Sequence, residues 1–318
     1  MIKIYEHNSI KKREFIFLLV IISTSFSIPF SLIIKVVIGQ ERKDLTGINV
    51  AIYDYTGIID KYDQINALTS MFGWMNATVG IINITQVLNG GLMNYDIFAI
   101  PKGWRTEIYN DNFGEYGKRI IRNYIKQGGI YVGIDRGAHF ATKAYLNLYP
   151  GGYVTPVPGI RYYDMVNVNI NKDSLWLDLK NIPSRLTTLY LNGGYFEKTD
   201  ALYEMEIQTI AKYSQNNMPC MVAFKYGYGS VFLSSLHPEV EEDSFRDGYF
   251  HYDYFEDPES EWDLALIISL WLLNPLRPVI FVVMDIVGGA VCAAIFIFVL
   301  LQKYSKKRLN TNHSSENV

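Results

Sequence analysis

Residues 128–138 read Gly-Gly-Ile-Tyr-Val-Gly-Ile-Asp-Arg-Gly-Ala, and they restrict the fold more than any other stretch. A short apolar strand, Ile130 to Ile134, runs into a turn framed by Gly133 and Gly137, and the pattern predicts a helix from Ala138 to Leu146. A backbone that passes from strand to helix within one or two residues is strained there. Its neighbours must be small to leave room for the bend. The residue carried on that turn is Asp135.

The segments before it alternate. Gly47 to Tyr53, Thr78 to Ile84 and Tyr95 to Ile100 read as apolar strands, while Lys61 to Trp74 and Glu115 to Gln127 carry apolar residues at helical spacing. Strands that are apolar on both sides imply a parallel sheet covered on both faces, with the four strands as parallel neighbours and Asp135 at their carboxyl edge. The second half predicts antiparallel strands at Met165–Ile170, Thr187–Leu191, Tyr203–Tyr213, Cys220–Tyr226 and Ser230–Leu236, with Gly227-Tyr228-Gly229 as the clearest turn. Glu261 to Leu273 reads as a helix too short to cross a bilayer, so it packs on the sheet or at a membrane surface. The fold class is α/β: a flavodoxin-like, mostly parallel sheet with helices on both faces and added antiparallel strands.

A hundred residues after the turn comes Leu236-His237-Pro238-Glu239. The elbow and this His-x-Glu together resemble the two halves of a class I glutamine-amidotransferase active site, in which the elbow residue is Cys. Asn94 to Trp104, ending Ile100-Pro101-Lys102-Gly103-Trp104, resembles the loop that supplies an oxyanion donor there. Asn192-Gly193-Gly194-Tyr195-Phe196 and Pro219 to Val231 resemble a narrower group, the domain found at the N-terminus of biotin–protein ligases. The resemblance covers about residues 46–273 and includes no ligase catalytic domain, so biotin transfer is not implied. It implies His237 as base, Glu239 as its orienter, the backbone N–H groups of Arg136 and Gly103 as oxyanion donors, and Gly133 and Gly137 as the small residues of the turn.

Asp135 stands where the family has its thiolate. A carboxylate there repels the oxyanion that the donors would stabilise, and an acyl-aspartate would be a mixed anhydride, so ordinary glutaminase activity is not expected. Four readings of Asp135 stay open: an N-cap for the following helix, part of a ligand site, a carboxylate nucleophile with His237 activating water, or a metal ligand with His237 and His139, one turn further on. A helix N-terminus and a nearby imidazolium would keep Asp135 ionised and favour a cationic or amine-bearing ligand. The expected role is non-catalytic binding of a small ligand or protein partner through the cleft; the alternative is a hydrolase using Asp135, His237 and Glu239.

Two apolar runs bracket this domain. Phe15–Ile34 has no charge and Val279–Leu301 has only Asp285, and each could cross a ~30 Å hydrocarbon core. Lys11-Lys12-Arg13 precedes the first, and Lys303, Lys306, Lys307 and Arg308 follow the second. The basic flanks predict cytoplasmic tails at 1–14 and 302–318, transmembrane helices at 15–38 and 279–301, and an extracytoplasmic domain at 45–275. A cleaved signal peptide is the alternative for the first run, and Asp285 either snorkels or pairs in a bundle. The lipid bilayer is then one partner.

With a formal net charge of −3 and no basic groove, no nucleic-acid partner is expected. No P-loop, dinucleotide fingerprint or HExxH occurs, and no cofactor or metal is expected. The two cysteines, Cys220 and Cys292, lie in a strand and in an apolar run, so no disulfide holds the fold. Asn76-Ala77-Thr78 and Asn83-Ile84-Thr85 are glycosylation sequons that chance explains equally well. The acidic stretch from Glu239 to Asp263 lacks the spacing of a calcium loop and reads as a solvated face. Tyr249, Phe250, Tyr252, Tyr254 and Phe255 within it line a cleft, form a contact surface or fill core.

Overall fold

The fold is known from a computed structural model that describes residues 42–55, 61–173, 177–197, 207–242, 244–257 and 259–273. All fall within the unit Arg42–Asn274. The predicted spans 15–38 and 279–301, the tails 1–14 and 302–318, Asp285 and Cys292 lie outside the described residues. Among the described residues no helix is long and apolar enough to cross a membrane.

The first half follows the predicted alternation. Strand β1 (Asn49–Tyr53) leads to helix α1 (Lys61–Trp74), strand β2 (Thr78–Ile82), the short helix α2 (Ile84–Leu88), strand β3 (Ile97–Ile100), helix α3 (Thr106–Lys126), strand β4 (Ile130–Ile134) and the one-turn helix α4 (Arg136–Phe140). The second half adds β5 (Tyr153–Val154), β6 (Tyr163–Ile170), β7 (Arg185–Leu191), β8 (Tyr195–Phe196), β9 (Gln208–Tyr213), β10 (Pro219–Tyr226), β11 (Gly229–Ser234) and helix α5 (Trp262–Leu272).

Among the described residues nine strands form one sheet in the order β2-β1-β3-β4-β11-β10-β9-β6-β7. The pairs β2–β1, β1–β3, β3–β4 and β4–β11 are parallel. The pairs β11–β10, β10–β9, β9–β6 and β6–β7 are antiparallel. The four strands expected as parallel neighbours are so placed, and β11 joins them from the second half.

Alternate residues of the parallel strands feed two separate cores. Val50, Ile52, Ile97, Ala99 and Val132 pack with Leu68 and Phe72 of α1 and with Trp262, Leu264 and Ile268 of α5. Ala51, Tyr53, Phe98, Ile100 and Tyr131 pack with Tyr109, Phe113, Ile121 and Ile125 of α3 and with Ala138 and Phe140 of α4. Burying one such side chain contributes roughly 1.5–3 kcal/mol, so both faces of the sheet are driven shut. Helix α5 therefore packs on the sheet.

Most boundaries shift by one to two residues from the sequence reading, and three differences have a local cause. The second strand ends at Ile82, because Asn83 and Gln86 form a capping box that starts α2 instead. The third helix begins at Thr106; Gly114, at φ 53° and ψ −171°, joins two helical segments, and the predicted start at Glu115 marks only the second. Within it Tyr116 is exposed, whereas Ile121, Tyr124 and Ile125 are buried. The helix after the elbow stops at Phe140 rather than Leu146, since the amides of Leu146, Leu148 and Tyr149 turn back to Phe140 and Ala141 carbonyls.

Candidate functional site

The carboxyl ends of β1, β3 and β4 open into one pocket of about 420 Å3. Tyr55 follows β1, Lys102, Gly103 and Trp104 follow β3, and Asp135 and Arg136 follow β4, and all six line it. A parallel sheet gathers ligands at this edge because the loops that leave its strands converge there. The opposite wall comes from Tyr162, Tyr163 and Asn192 and from Tyr249, His251 and Tyr252.

Asp135 sits on the floor of this pocket at φ 46° and ψ −101°, a conformation that costs a non-glycine residue about 1–3 kcal/mol. The surroundings impose it. The Asp135 amide donates to the Ser234 carbonyl at 2.7 Å, the His139 amide donates to the Asp135 carbonyl at 2.9 Å, and the Tyr131 hydroxyl donates to the Gly137 carbonyl at 2.7 Å. A Cβ on Gly137 would lie 2.1 Å from the Ile100 carbonyl oxygen, and one on Gly133 would lie 2.7 Å from the Gly137 carbonyl oxygen. Gly103 is held to glycine by the Tyr109 hydroxyl, 2.5 Å from where its Cβ would be.

The Asp135 side chain does not cap α4. It is fully buried, and neither carboxylate oxygen has a hydrogen-bond partner among the described residues. Burial holds its carboxyl above the ordinary 3.8, against the opposite pull of Arg136, His237 and Lys102. The N-cap reading is corrected here, and burial works against the ionised form that was expected of Asp135. Helix α4 has only five residues, so its dipole is small, and desolvation outweighs it.

His237 and Glu239 form the expected pair. Nδ1 of His237 lies 2.9 Å from Glu239 Oε1, both side chains are buried, and the His237 amide donates to the Leu189 carbonyl at 3.1 Å. The carboxylate accepts, so Nδ1 carries a proton and Nε2 is the atom left for chemistry. Nε2 has no hydrogen-bond partner among the described residues, so no hydrogen bond joins it to Asp135. Neither His237 nor Glu239 lines the pocket.

The other predicted residues separate. Arg136 lines the pocket and reaches the Asn192 carbonyl at 3.4 Å. His139 turns away from the floor: its Nδ1 lies 2.9 Å from Thr106 Oγ1, its ring stacks on Tyr153 at 4.9 Å, and burial lowers its pKa to about 4. A metal shared by Asp135, His237 and His139 is therefore not what this geometry builds. Among the described residues, three metal-ligating side chains converge within 4.8 Å at Glu242, Asp257 and Glu261 instead.

The acidic stretch is only partly a solvated face: Glu256, Glu259 and Asp263 are exposed. Glu239, Glu241, Glu242, Asp247, Asp257 and Glu261 are all buried. Part of the charge is matched locally, with Asp247 accepting the Glu241 and Tyr249 amides and Glu241 pairing with Arg246. Of its aromatics, Tyr249 and Tyr252 line the pocket, whereas Phe250 and Tyr254 face solvent. Tyr55, Tyr162 and His251 were not found by sequence reasoning, because aromatics outside regular strands and helices carry no periodicity, and Tyr163 was missed because β6 begins two residues before the predicted Met165. Both sequon asparagines hold structure: Asn76 Nδ2 donates to Asp44 Oδ2 at 2.9 Å, and Asn83 Oδ1 accepts the Gln86 amide at 3.0 Å.

No family model matches the sequence. A biotin–protein ligase of Schizosaccharomyces pombe is 26% identical over 161 residues, 44% of this chain and 25% of that protein, so the chain spans about a quarter of that relative. Among solved structures, a glutamine amidotransferase from Thermotoga maritima aligns with a TM-score of 0.45 and 14% identity over 73% of this chain and 90% of that one. A glutamine amidotransferase from Methylobacillus flagellatus aligns at 0.43 and 12% identity over 74% and 95%. A ThuA-like protein from Bacteroides uniformis aligns at 0.44 and 12% identity over 76% and 94%. The chain itself combines a mixed sheet with a parallel half, a strained elbow at the carboxyl edge of that half and a buried histidine–glutamate pair.

Proposed function

We propose that this protein is an amidotransferase-like binding domain without glutaminase activity, which holds a small polar ligand in the pocket above Asp135. One observation carries this reading: a fully buried carboxylate, with neither oxygen partnered among the described residues, lies on a strained turn at the floor of an open pocket. Leaving such a group unsatisfied costs about 1–3 kcal/mol or more, and a ligand amine or hydroxyl donor would offset it. Tyr55, Trp104, Tyr162 and Tyr252 supply ring faces to the same ligand. The hydrolase alternative needs Asp135 ionised and hydrogen-bonded to His237, directly or through water, and burial opposes the first requirement.

Asp135→Asn tests this with two readouts of opposite sign. The folded carboxyl is raised, so below about pH 4 it is protonated in both folded and unfolded chains and nothing is lost. As the pH rises, the unfolded chain ionises first and wild-type stability falls. The variant, having no charge to bury, is expected to gain about 1–3 kcal/mol over wild type at neutral pH, with the gain vanishing toward pH 4. In thermal-shift titrations with primary amines, amides and monosaccharides, at least one class is expected to stabilise wild type and not the variant. No response from wild type, or an equal response from both, would refute the binding role.

We further propose that the domain is tethered outside the cytoplasm by the runs 15–38 and 279–301. The support is their length and their basic flanks. Protease added to intact cells is expected to cut within 45–275 and to spare an epitope on either tail. Protection of the domain would reverse the orientation.

A further inference from the structure

We infer that Glu242, Asp257 and Glu261 bind one hard divalent cation of the Ca2+ class, outside the pocket above Asp135. The three side chains come from separate points, the loop after β11 and the approach to α5, yet each places a carboxylate oxygen within 4.8 Å of the others. A Ca–O sphere of about 2.4 Å radius spans that width, and an all-oxygen donor set selects Ca2+ over thiolate- or imidazole-seeking metals.

A second observation points into the same spot. Glu261 is 1% exposed, and neither of its carboxylate oxygens has a hydrogen-bond partner among the described residues. Glu242, also 1% exposed, leaves Oε1 in the same condition. Three buried carboxylates in one place repel one another and cannot all ionise without a compensating cation. The nearby guanidinium does not serve: Arg246 pairs with Glu241 at 2.6 Å, and Glu241 also accepts from Ser260 at 2.7 Å.

Such an ion would bind the two ends of the 242–261 loop together. That loop carries Tyr249, His251 and Tyr252, which wall the pocket. It also touches the histidine–glutamate pair, since the indole N–H of Trp262, next to Glu261, donates to the Glu239 carbonyl at 3.2 Å. The cation is thus a structural staple for one pocket wall, and its binding does not depend on the identity of the pocket ligand.

The test uses the full chain in detergent micelles after exposure to a chelator. Calorimetric titration with Ca2+ is expected to show one site. Tb3+ is expected to emit on tryptophan excitation, because Trp262 adjoins Glu261, and Ca2+ should quench that emission. Glu261→Gln and Glu242→Gln, which keep the side-chain shape and relieve the repulsion, are each expected to weaken binding at least ~10-fold. No heat and no emission from wild type at millimolar ion would overturn the site without recourse to any variant. So would unchanged binding in a folded glutamine variant, which would put the ion elsewhere, or a preference for Mg2+ over Ca2+.

Discussion

Gly137→Ala is expected to cost about 3 kcal/mol or more, enough to reduce the folded-to-unfolded ratio by roughly 10²-fold. The added Cβ would lie 2.1 Å from the Ile100 carbonyl oxygen, 2.9 Å from its carbon and 3.0 Å from Ile100 Cγ2. Neither side can yield easily. Strand β3 is hydrogen-bonded between β1 and β4, and the Gly137 carbonyl is held by the Tyr131 hydroxyl. A flexible side chain could swing aside, but a paired backbone cannot. Urea denaturation of wild type and variant checks this: the midpoint should fall while the slope is unchanged. Gly73→Ala is the control, since a Cβ there meets nothing within 4 Å. It lies within α1, where alanine is favoured by about 1 kcal/mol. A Gly137→Ala protein as stable as wild type would mean that elbow and strand do not approach as described.

The elbow was legible in the sequence because its requirements are local: an apolar strand, two glycines and a polar residue between them. The four parallel strands were legible for a related reason, since burial on both faces leaves an almost unbroken apolar run. What escaped the sequence was decided by competition over longer range. Asn83 continues an apolar strand in sequence, yet its side chain caps Gln86 and ends the strand. The helix from Thr106 was hidden by the polar Asn110-Asp111-Asn112 and by the interruption at Gly114.

The largest misreadings concern charge. The acidic residues of 239–261 look solvated on composition, but an arginine, backbone amides and tertiary packing bury Glu239, Glu241, Glu242, Asp247, Asp257 and Glu261. Asp135 looked like a capped, ionised carboxylate. Its side chain makes no hydrogen bond to the α4 amides, and the fold strips its solvent. Residue type can indicate that a carboxylate sits at an elbow. Which of its two protonation states the site favours depends on burial, and burial belongs to the assembled fold.

Asp135→Cys is expected to create a reactive thiol where wild type has none. At pH 7 an ordinary cysteine is only about 3% thiolate. Beside a polarising imidazole the thiol pKa drops, and a thiolate fraction ~10–30-fold higher follows. His237 is equipped for this: Glu239 holds its Nδ1 at 2.9 Å, and Nε2 has no hydrogen-bond partner among the described residues. Arg136 and Gly103 line the same pocket as the new thiol. The wild-type background from Cys220 is low, because that thiol is fully buried and its pKa is pushed well up by desolvation. The measurement is the rate of modification by an electrophilic glutamine analogue, with wild type subtracted, in Asp135→Cys and in the same variant carrying His237→Ala. A gain of ~10-fold or more over a free thiol, lost when His237 is removed, would show that base and elbow are aligned and that the aspartate alone silences the site. A folded Asp135→Cys protein no more reactive than a free thiol would mean that the histidine–glutamate pair is structural, which its burial below the pocket floor would then explain. Glutamine hydrolysis by wild type would defeat both versions, because the elbow of this chain holds no thiol or hydroxyl to form an ordinary acyl intermediate.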